Sequence, residues 1–441
     1  MKHLVNIIFA VIISSSVSIA AENKLPNIVL MMADDAGIET ISSYGSDTYK
    51  TPNIDAIATD GMRFTHAYSQ PLCTPSRVKL MTGKYNYRNY LHFTHLDPGE
   101  TTFAHLLKDN GYKTMIAGKW QLFGDTVSPV AGSLPDQAGF DEHILWQIYR
   151  ETRGNRYWHP TLTSNGEAIT YEPTDFGPDI MNDYVLDFME RQSNNDQPFL
   201  VYYPLVLPHD PFVATPDFPD AKTDHEKFTA MVSHMDKMVG NVKNKINQLG
   251  IAEDTLFIFI SDNGTSRLIT SRMNGVEVPG SKGLTHDAGH HVPFVAQWPG
   301  KIERGSLNMD LVDFNDFFPT LLDVAGIEKP DDLLLDGKSL VPLLKGQDIA
   351  HKDSVFIHYD PQWFAMVPSR YEFDKRWKLY YDGRFFDTNN DIRELSPLDI
   401  TALDVRAQAA YDKLKQRLDS HGGKLSATKS HLELGISSVL E

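Results

Sequence analysis

Apolar positions along this chain follow two rhythms. Asn27–Ala33 is a nearly continuous apolar run ending at Asp34-Asp35, and Thr255–Ile260 is another, running into Ser261-Asp262-Asn263-Gly264. Such short runs predict strands buried on both faces. Lys113–Ala117 and Phe199–Tyr203 read as further strands, the first leading to Gly118-Lys119 and the second to a loop with Pro208-His209-Asp210-Pro211. Between these runs the spacing turns helical. Thr101 or Thr102 caps a predicted helix carrying Phe103, Leu106 and Leu107 and stopped by Gly111. Met181–Gln192 predicts a second helix. Met231, Met235, Val239, Val242, Ile246 and Leu249 form a stripe that ends at Gly250 and reads as core. Strand, polar loop and helix repeat, which predicts an α/β fold: a large, mostly parallel sheet sandwiched by helices. Ligands of such folds gather beyond the carboxyl ends of the strands, where Asp34, Asp35, Lys119, His209, Asp262 and Asn263 fall.

A helix near Asp313–Val324 and the segment Asp336–Leu340 close this large unit. From about residue 350 the pattern changes. Ser354–His358, Trp377–Tyr381 and Arg384–Phe386 are short strand-like runs, and Ala402–Leu418 is helix-like. This predicts a smaller C-terminal α+β subdomain with an antiparallel sheet. The expected division is 1–20, 21–345 and 346–441, the last including a tail from Gly422 without clear period.

Residues 1–20 read as a signal peptide: a basic Met1-Lys2-His3 start, an apolar Leu4–Ile13 run, and small residues at Ser18-Ile19-Ala20. The expected location is outside the cytoplasm, periplasmic or secreted, with no stable membrane span after signal removal. The 441-residue chain carries 41 basic and 58 acidic side chains, a formal charge of −17. That argues against nucleic acid as a partner, and it means that an anionic substrate needs a local concentration of positive charge. Cys73 is the single cysteine, so no intramolecular disulfide exists and a lone thiol in an exported chain calls for an explanation.

Asp34-Asp35 and Asp262-Asn263 are oxygen-rich strand ends of the kind that suits calcium or magnesium. Between them in sequence lies Cys73-Thr74-Pro75-Ser76-Arg77, extended by Leu80-Met81-Thr82-Gly83. This segment resembles the signature of the type I, formylglycine-dependent sulfatases of the alkaline phosphatase-like superfamily. The resemblance extends to Met32–Asp35, Thr51–Asp55, Gly61–Phe64, Gly118-Lys119-Trp120, Ser261–Gly264, Val292-Pro293, Trp298-Pro299-Gly300 and Pro319-Thr320. It implies that a separate formylglycine-generating enzyme oxidises Cys73 to an aldehyde, whose hydrate attacks the sulfur of a sulfate ester. It implies one calcium ion held by Asp34, Asp35, Asp262 and Asn263, with residue 73 alongside. Arg77 is then expected to stabilise the nucleophile, and Lys119, His209 and Lys282 to hold the sulfate, His209 also protonating the leaving oxygen.

Two departures stand out. Where the family usually has histidine after Gly-Lys-Trp, this chain has Gln121, which cannot take a proton at neutral pH. The segment Thr285–His291 also departs from the family pattern, and its His286, His290 and His291 are candidates to supply the missing base or to read the substrate. A sulfated carbohydrate is the expected partner, with Tyr157, Trp158 and His159, and Trp363 and Phe364, as candidate sugar-stacking groups. Two other readings stay open: a phosphate or phosphonate ester hydrolase on the same scaffold, and a non-catalytic binder of sulfated glycans. A plain cysteine hydrolase lacks a recognisable histidine–acid partner pattern.

Overall fold

A computed structural model describes residues 24–124, 130–149, 154–195, 197–363 and 366–426. The expected signal peptide, Phe364 and most of the tail lie outside the described residues. Strands β1 (Asn27–Ala33), β2 (Met62–Tyr68), β3 (Lys113–Lys119), β4 (Glu142–Trp146), β5 (Thr161–Ser164), β6 (Glu167–Thr170), β7 (Phe199–Pro204) and β8 (Thr255–Ser261) come first in the chain. A hairpin of β9 (Thr270–Met273) and β10 (Val276–Pro279) precedes β11 (His291–Gln297) and β12 (Ser306–Asp313). All but the hairpin form one ten-stranded sheet among the described residues, in the order β12-β2-β11-β8-β1-β7-β3-β4-β5-β6. β11 and β5 run against their neighbours and the other pairs within β8-β1-β7-β3-β4 are parallel.

The central strands alternate their side chains between two cores. Ile28, Leu30 and Met32 of β1 face a layer containing Phe103, Leu107, Phe317, Phe318 and Leu321. Val29, Met31 and Ala33 face the opposite layer, which holds Met181, Val185, Phe188 and the stripe Met231, Met235, Val239, Val242 and Ile246. Strands covered on both faces must be apolar at every position, which is why they appear in sequence as unbroken runs. Thr102 caps the helix Phe103–Asp109, accepting from the backbone N–H groups of Ala104 and His105.

β13 (Val355–Tyr359), β14 (Ser369–Phe373), β15 (Trp377–Tyr380) and β16 (Phe385–Asp387) form the small antiparallel sheet. The helix Val405–Ser420 packs Ala407, Leu414 and Leu418 against Phe356, Trp377, Leu379 and Phe385. Two helix starts differ from expectation for the same physical reason. The C-terminal helix begins at Val405, not Ala402, because the Asp404 carboxylate accepts the Ala407 N–H at 2.7 Å and sets the N-cap there. The expected helix from Asp313 is the end of β12, a single 3-10 turn and then the helix Phe317–Ala325, with the Asp313 side chain accepting the Phe314 N–H at 2.8 Å.

Asp313 also anchors a buried charge network. Lys79 Nζ lies 2.5 Å from Asp313, Lys352 Nζ 2.7 Å from Asp316, and His351 Nε2 3.2 Å from Asp316. Lys79 belongs to the helix Cys73–Thr82, so the network ties that helix to the chain leading into the small sheet. Lys79→Met strands the Asp313 carboxylate without its closest cation and is expected to cost about 3–5 kcal/mol in denaturant unfolding. Burial disfavours an ionised Asp316, but Lys352 and His351 outweigh it and hold its carboxyl down at about 2. A depressed folded-state value stabilises above the ordinary carboxylate range and is lost as pH falls toward 2. The melting temperature should therefore drop across that acid window, and Asp316→Asn should flatten the drop.

Candidate active site and metal centre

After β2 the chain crosses to Leu72, the N-cap of the helix Cys73–Thr82, so Cys73 is the first helical residue. Ser76 braces this turn: its Oγ lies 2.8 Å from the Leu72 carbonyl oxygen and 3.0 Å from that of Gln70, and accepts the Gln70 N–H at 2.9 Å. Pro75 is tolerated because first-turn N–H groups have no helical acceptor anyway. The Arg77 guanidinium is buried and donates to the carbonyl oxygens of Trp120 and Lys119. It therefore clamps the end of β3 to the helix that presents Cys73. Burial pushes the Cys73 thiol up, against the pull of Lys119 and Lys282.

The acidic residues converge because of strand register. Ala33 pairs with Ser261 across β1 and β8, so Asp34 and Asp262 leave adjacent strand ends. Asp35 adopts a left-handed conformation, φ 71°, and its N–H donates to Asp262 Oδ1 at 3.1 Å. Asn263 Nδ2 donates to Asp35 Oδ1 at 2.8 Å. Ligand atoms of Asp34, Cys73 and Asp262 lie within 4.8 Å of one another, as do those of Asp34, Asp35 and His209. Asn263 Oδ1 is buried without a hydrogen-bond partner, an oxygen left over for a cation. Burial, then the charge of Asp34, pushes Asp262 well above the ordinary carboxylate range. Burial also raises Asp35, against the opposing pull of Lys282. This buried, oxygen-rich set fits a hard divalent cation.

Two lysines and a histidine border it. Lys119, the last residue of β3, places Nζ 2.9 Å from both Asp34 oxygens. Burial works against ionised Asp34, yet Lys119, followed by His209, Lys282 and Arg156, holds its carboxyl well below the usual range. Lys282 Nζ lies 2.7 Å from Asp35 Oδ2 and 2.9 Å from His209 Nε2. The Lys282 ammonium donates to His209 Nε2, while His209 Nδ1 lies 2.6 Å from the Asp210 carbonyl oxygen and 3.0 Å from Arg156 Nη2. Burial and the charge of Lys282 push His209 well below its ordinary value. Gly118 sits at φ +105°, and a Cβ there would lie 1.9 Å from the Pro204 carbonyl oxygen. No other residue lets β3 deliver Lys119 this close to β7.

The structure brings Cys73, Lys119, His209, Lys282, Asp34, Asp35, Asp262 and Asn263 together. Gln121, at φ 50°, faces the thiol, with Oε1 3.9 Å from Sγ. The histidines after Lys282 are engaged elsewhere. His291 contacts Asp287 at 3.0 Å and donates to the Thr65 carbonyl at 2.8 Å, while His290 Nε2 lies 3.0 Å from the Thr285 carbonyl. His290 packs on Tyr68, Tyr371 and Phe373. His286 is surrounded by Glu394, Lys378, Asp287 and Arg393, on the side of the small sheet, and burial lowers its pKa.

Of the candidate stacking groups, Tyr157 is buried with its hydroxyl donating to Val206 and His209 carbonyls, and Trp363 lies flat on Phe93 at 4.3 Å. Trp158 lines a cleft of about 640 Å³ that opens over Lys119, Gln121 and His209. Arg156 enters the same cleft, 3.9 Å from Asp34 and 3.0 Å from His209 Nδ1. Sequence reasoning passed over it, because a lone arginine beside two aromatics carries no motif.

Comparison with known proteins agrees with this geometry. The sulfatase family model matches residues 26–327, and a model of the N-sulphoglucosamine sulphohydrolase C-terminal region matches residues 281–422. N-acetylgalactosamine-6-sulfatase of Canis lupus familiaris is 28% identical over 82% of this chain and 74% of its own. Human arylsulfatase A is 32% identical over 76% of this chain and 70% of its own. The solved structure of BT4656 in complex with its substrate D-glucosamine-2-N,6-O-disulfate superposes with a TM-score of 0.72 at 21% identity, covering 90% of this chain and 97% of that one. With the nucleophile, acidic cluster and lysines in one buried site, this chain belongs to the sulfatase family and is a sulfuric ester hydrolase.

Proposed function

We propose that the protein hydrolyses sulfate esters on a sulfated carbohydrate, using formylglycine made from Cys73 by a separate formylglycine-generating enzyme. The observation that carries this reading is the joint burial of Cys73 Sγ with Asp34 and Asp262 oxygens, inside a ring of Lys119, Lys282 and His209. Asp34, Asp35, Asp262 and Asn263 are the residues to hold a calcium ion. Bound there, the ion supplies Lewis-acid neutralisation of the sulfate oxygens. Lys119 and Lys282 add positive charge around the transferring sulfate, where burial makes it count most.

His209, flanked by Lys282 and Arg156, helps hold the ester beside residue 73. Gln121, set against residue 73, holds the hydrated nucleophile by its amide without accepting its proton. Arg77 positions β3 through backbone carbonyls, which is how it serves the nucleophile. An exported location is part of the proposal. Among the described residues no helix is long and apolar enough to cross a membrane.

Cys73→Ala should lower sulfate ester turnover by roughly 10³-fold or more while leaving the melting temperature nearly unchanged. Matched aryl phosphate should be turned over far more slowly by the wild-type enzyme, and comparable rates would favour a phosphate ester hydrolase instead. Calcium at about 100 times its dissociation constant should stabilise the protein by about 2.7 kcal/mol in thermal melts. Asp262→Asn should abolish most of that shift, and a shift that survives would remove Asp262 from the site.

A further inference from the structure

Arg156 is a further cation of the cleft, beyond Lys119 and Lys282. Its guanidinium lies 4.4 Å from the Trp146 ring centroid and 5.3 Å from that of Tyr157. Nη2 donates to the Asp210 carbonyl, and Trp146 is itself tied by its indole N–H to the Gly154 carbonyl at 3.3 Å. With 8% of its surface exposed, the side chain is held in place before any substrate arrives. A planar fork fixed in this way loses little entropy on binding an anion, and it matches a carboxylate or sulfate in geometry.

No acid among the described residues neutralises Arg156 at hydrogen-bonding distance. Among the described residues the nearest carboxylate is Asp34, at 3.9 Å, beyond hydrogen-bond distance. Both Asp34 oxygens already accept from Lys119 at 2.9 Å. The Asp210 carboxylate is turned toward His209, with Oδ1 3.4 Å from Nδ1. Arg156 stands on the Nδ1 side of His209, whereas Lys282 and the acidic cluster stand on the Nε2 side. It thus flanks His209 on the side away from Lys282 and opens into the same cleft beside Gln147, Asn155 and Trp158. On a chain of net charge −17 this is a local positive spot on the cleft wall beside His209.

We propose that Arg156 is a specificity residue that binds a second anionic group, a carboxylate or a further sulfate, carried by the sugar bearing the scissile ester or by its immediate neighbour. This deepens, and rests on, the sulfatase reading of the site. The test compares kcat/KM for a sugar with two anionic groups and for an aryl sulfate with one, in the wild-type enzyme, Arg156→Gln and Arg156→Lys. Arg156→Gln should reduce the doubly-charged-to-singly-charged selectivity ratio by roughly 10- to 100-fold, the scale of a lost charge-assisted contact. Arg156→Lys should restore part of it. Equal losses on both substrates would overturn the proposal and assign Arg156 to the scissile sulfate or to His209.

Calorimetry on Cys73→Ala, with and without Arg156→Gln, separates this from the sulfatase reading. A binding preference for the doubly anionic sugar that disappears with the arginine supports the proposal even if no sulfate ester is turned over. No preference overturns it even if turnover is fast.

Discussion

The site depends on one unfavourable fact: Asp34, Asp35 and Asp262 are buried against one another at the ends of two adjacent parallel strands. Three carboxylates in a dry pocket repel strongly and lose their hydration, so the arrangement stands only with positive charge supplied on the spot. Lys119 arrives from β3, two strands away from β1, and Lys282 from the loop after the β9–β10 hairpin. The glycine before Lys119 and the arginine that grips its carbonyl follow from the same requirement. A small, hard, doubly charged ion satisfies the cluster more fully than two ammonium groups do, since it can take several oxygens at once, including the unpartnered Asn263 Oδ1.

Much of this was legible in sequence because β1, β3, β7 and β8 are short apolar runs, each followed at its end or within a few residues by charged or polar groups. Asp34, Lys119, His209 and Asp262 could be placed at one edge of the sheet from that pattern alone, and the segment around Cys73 named the chemistry. Other features depended on distances that no sequence spacing encodes. His286, His290 and His291 are near Lys282 in sequence, but a short helical turn, Asp287–His290, directs them toward β2 and the small sheet. Arg77 looked like a partner of the nucleophile, and its two terminal nitrogens go to the Lys119–Trp120 backbone. Arg156 follows β4 in a stretch with no strand or helix periodicity, and tertiary contacts with Trp146, Tyr157 and the Asp210 carbonyl hold it in the cleft.

The small sheet contributes to the site through backbone support. Tyr359 donates to the Gly283 carbonyl at 3.2 Å, Tyr380 lies 2.8 Å from Thr285 Oγ1, and Lys378 donates to the Thr285 carbonyl. All three contacts fall within three residues of Lys282. The large sheet holds the same loop from the other side, where the Lys282 N–H donates to the Thr265 carbonyl at 2.9 Å and the Gly283 N–H to the Pro71 carbonyl at 2.7 Å. The lysine on this loop is thereby fixed relative to both Cys73 and the acidic cluster, which is what charge stabilisation of a developing anion requires.

Peptide mass spectrometry of residue 73, after production beside a formylglycine-generating enzyme, tests the central claim most directly. The account predicts that the Cys73 thiol is replaced by an aldehyde and that sulfate ester turnover scales with the converted fraction. A Cys73 that remains a thiol while a control sulfatase is converted, or turnover that is independent of conversion, would contradict it.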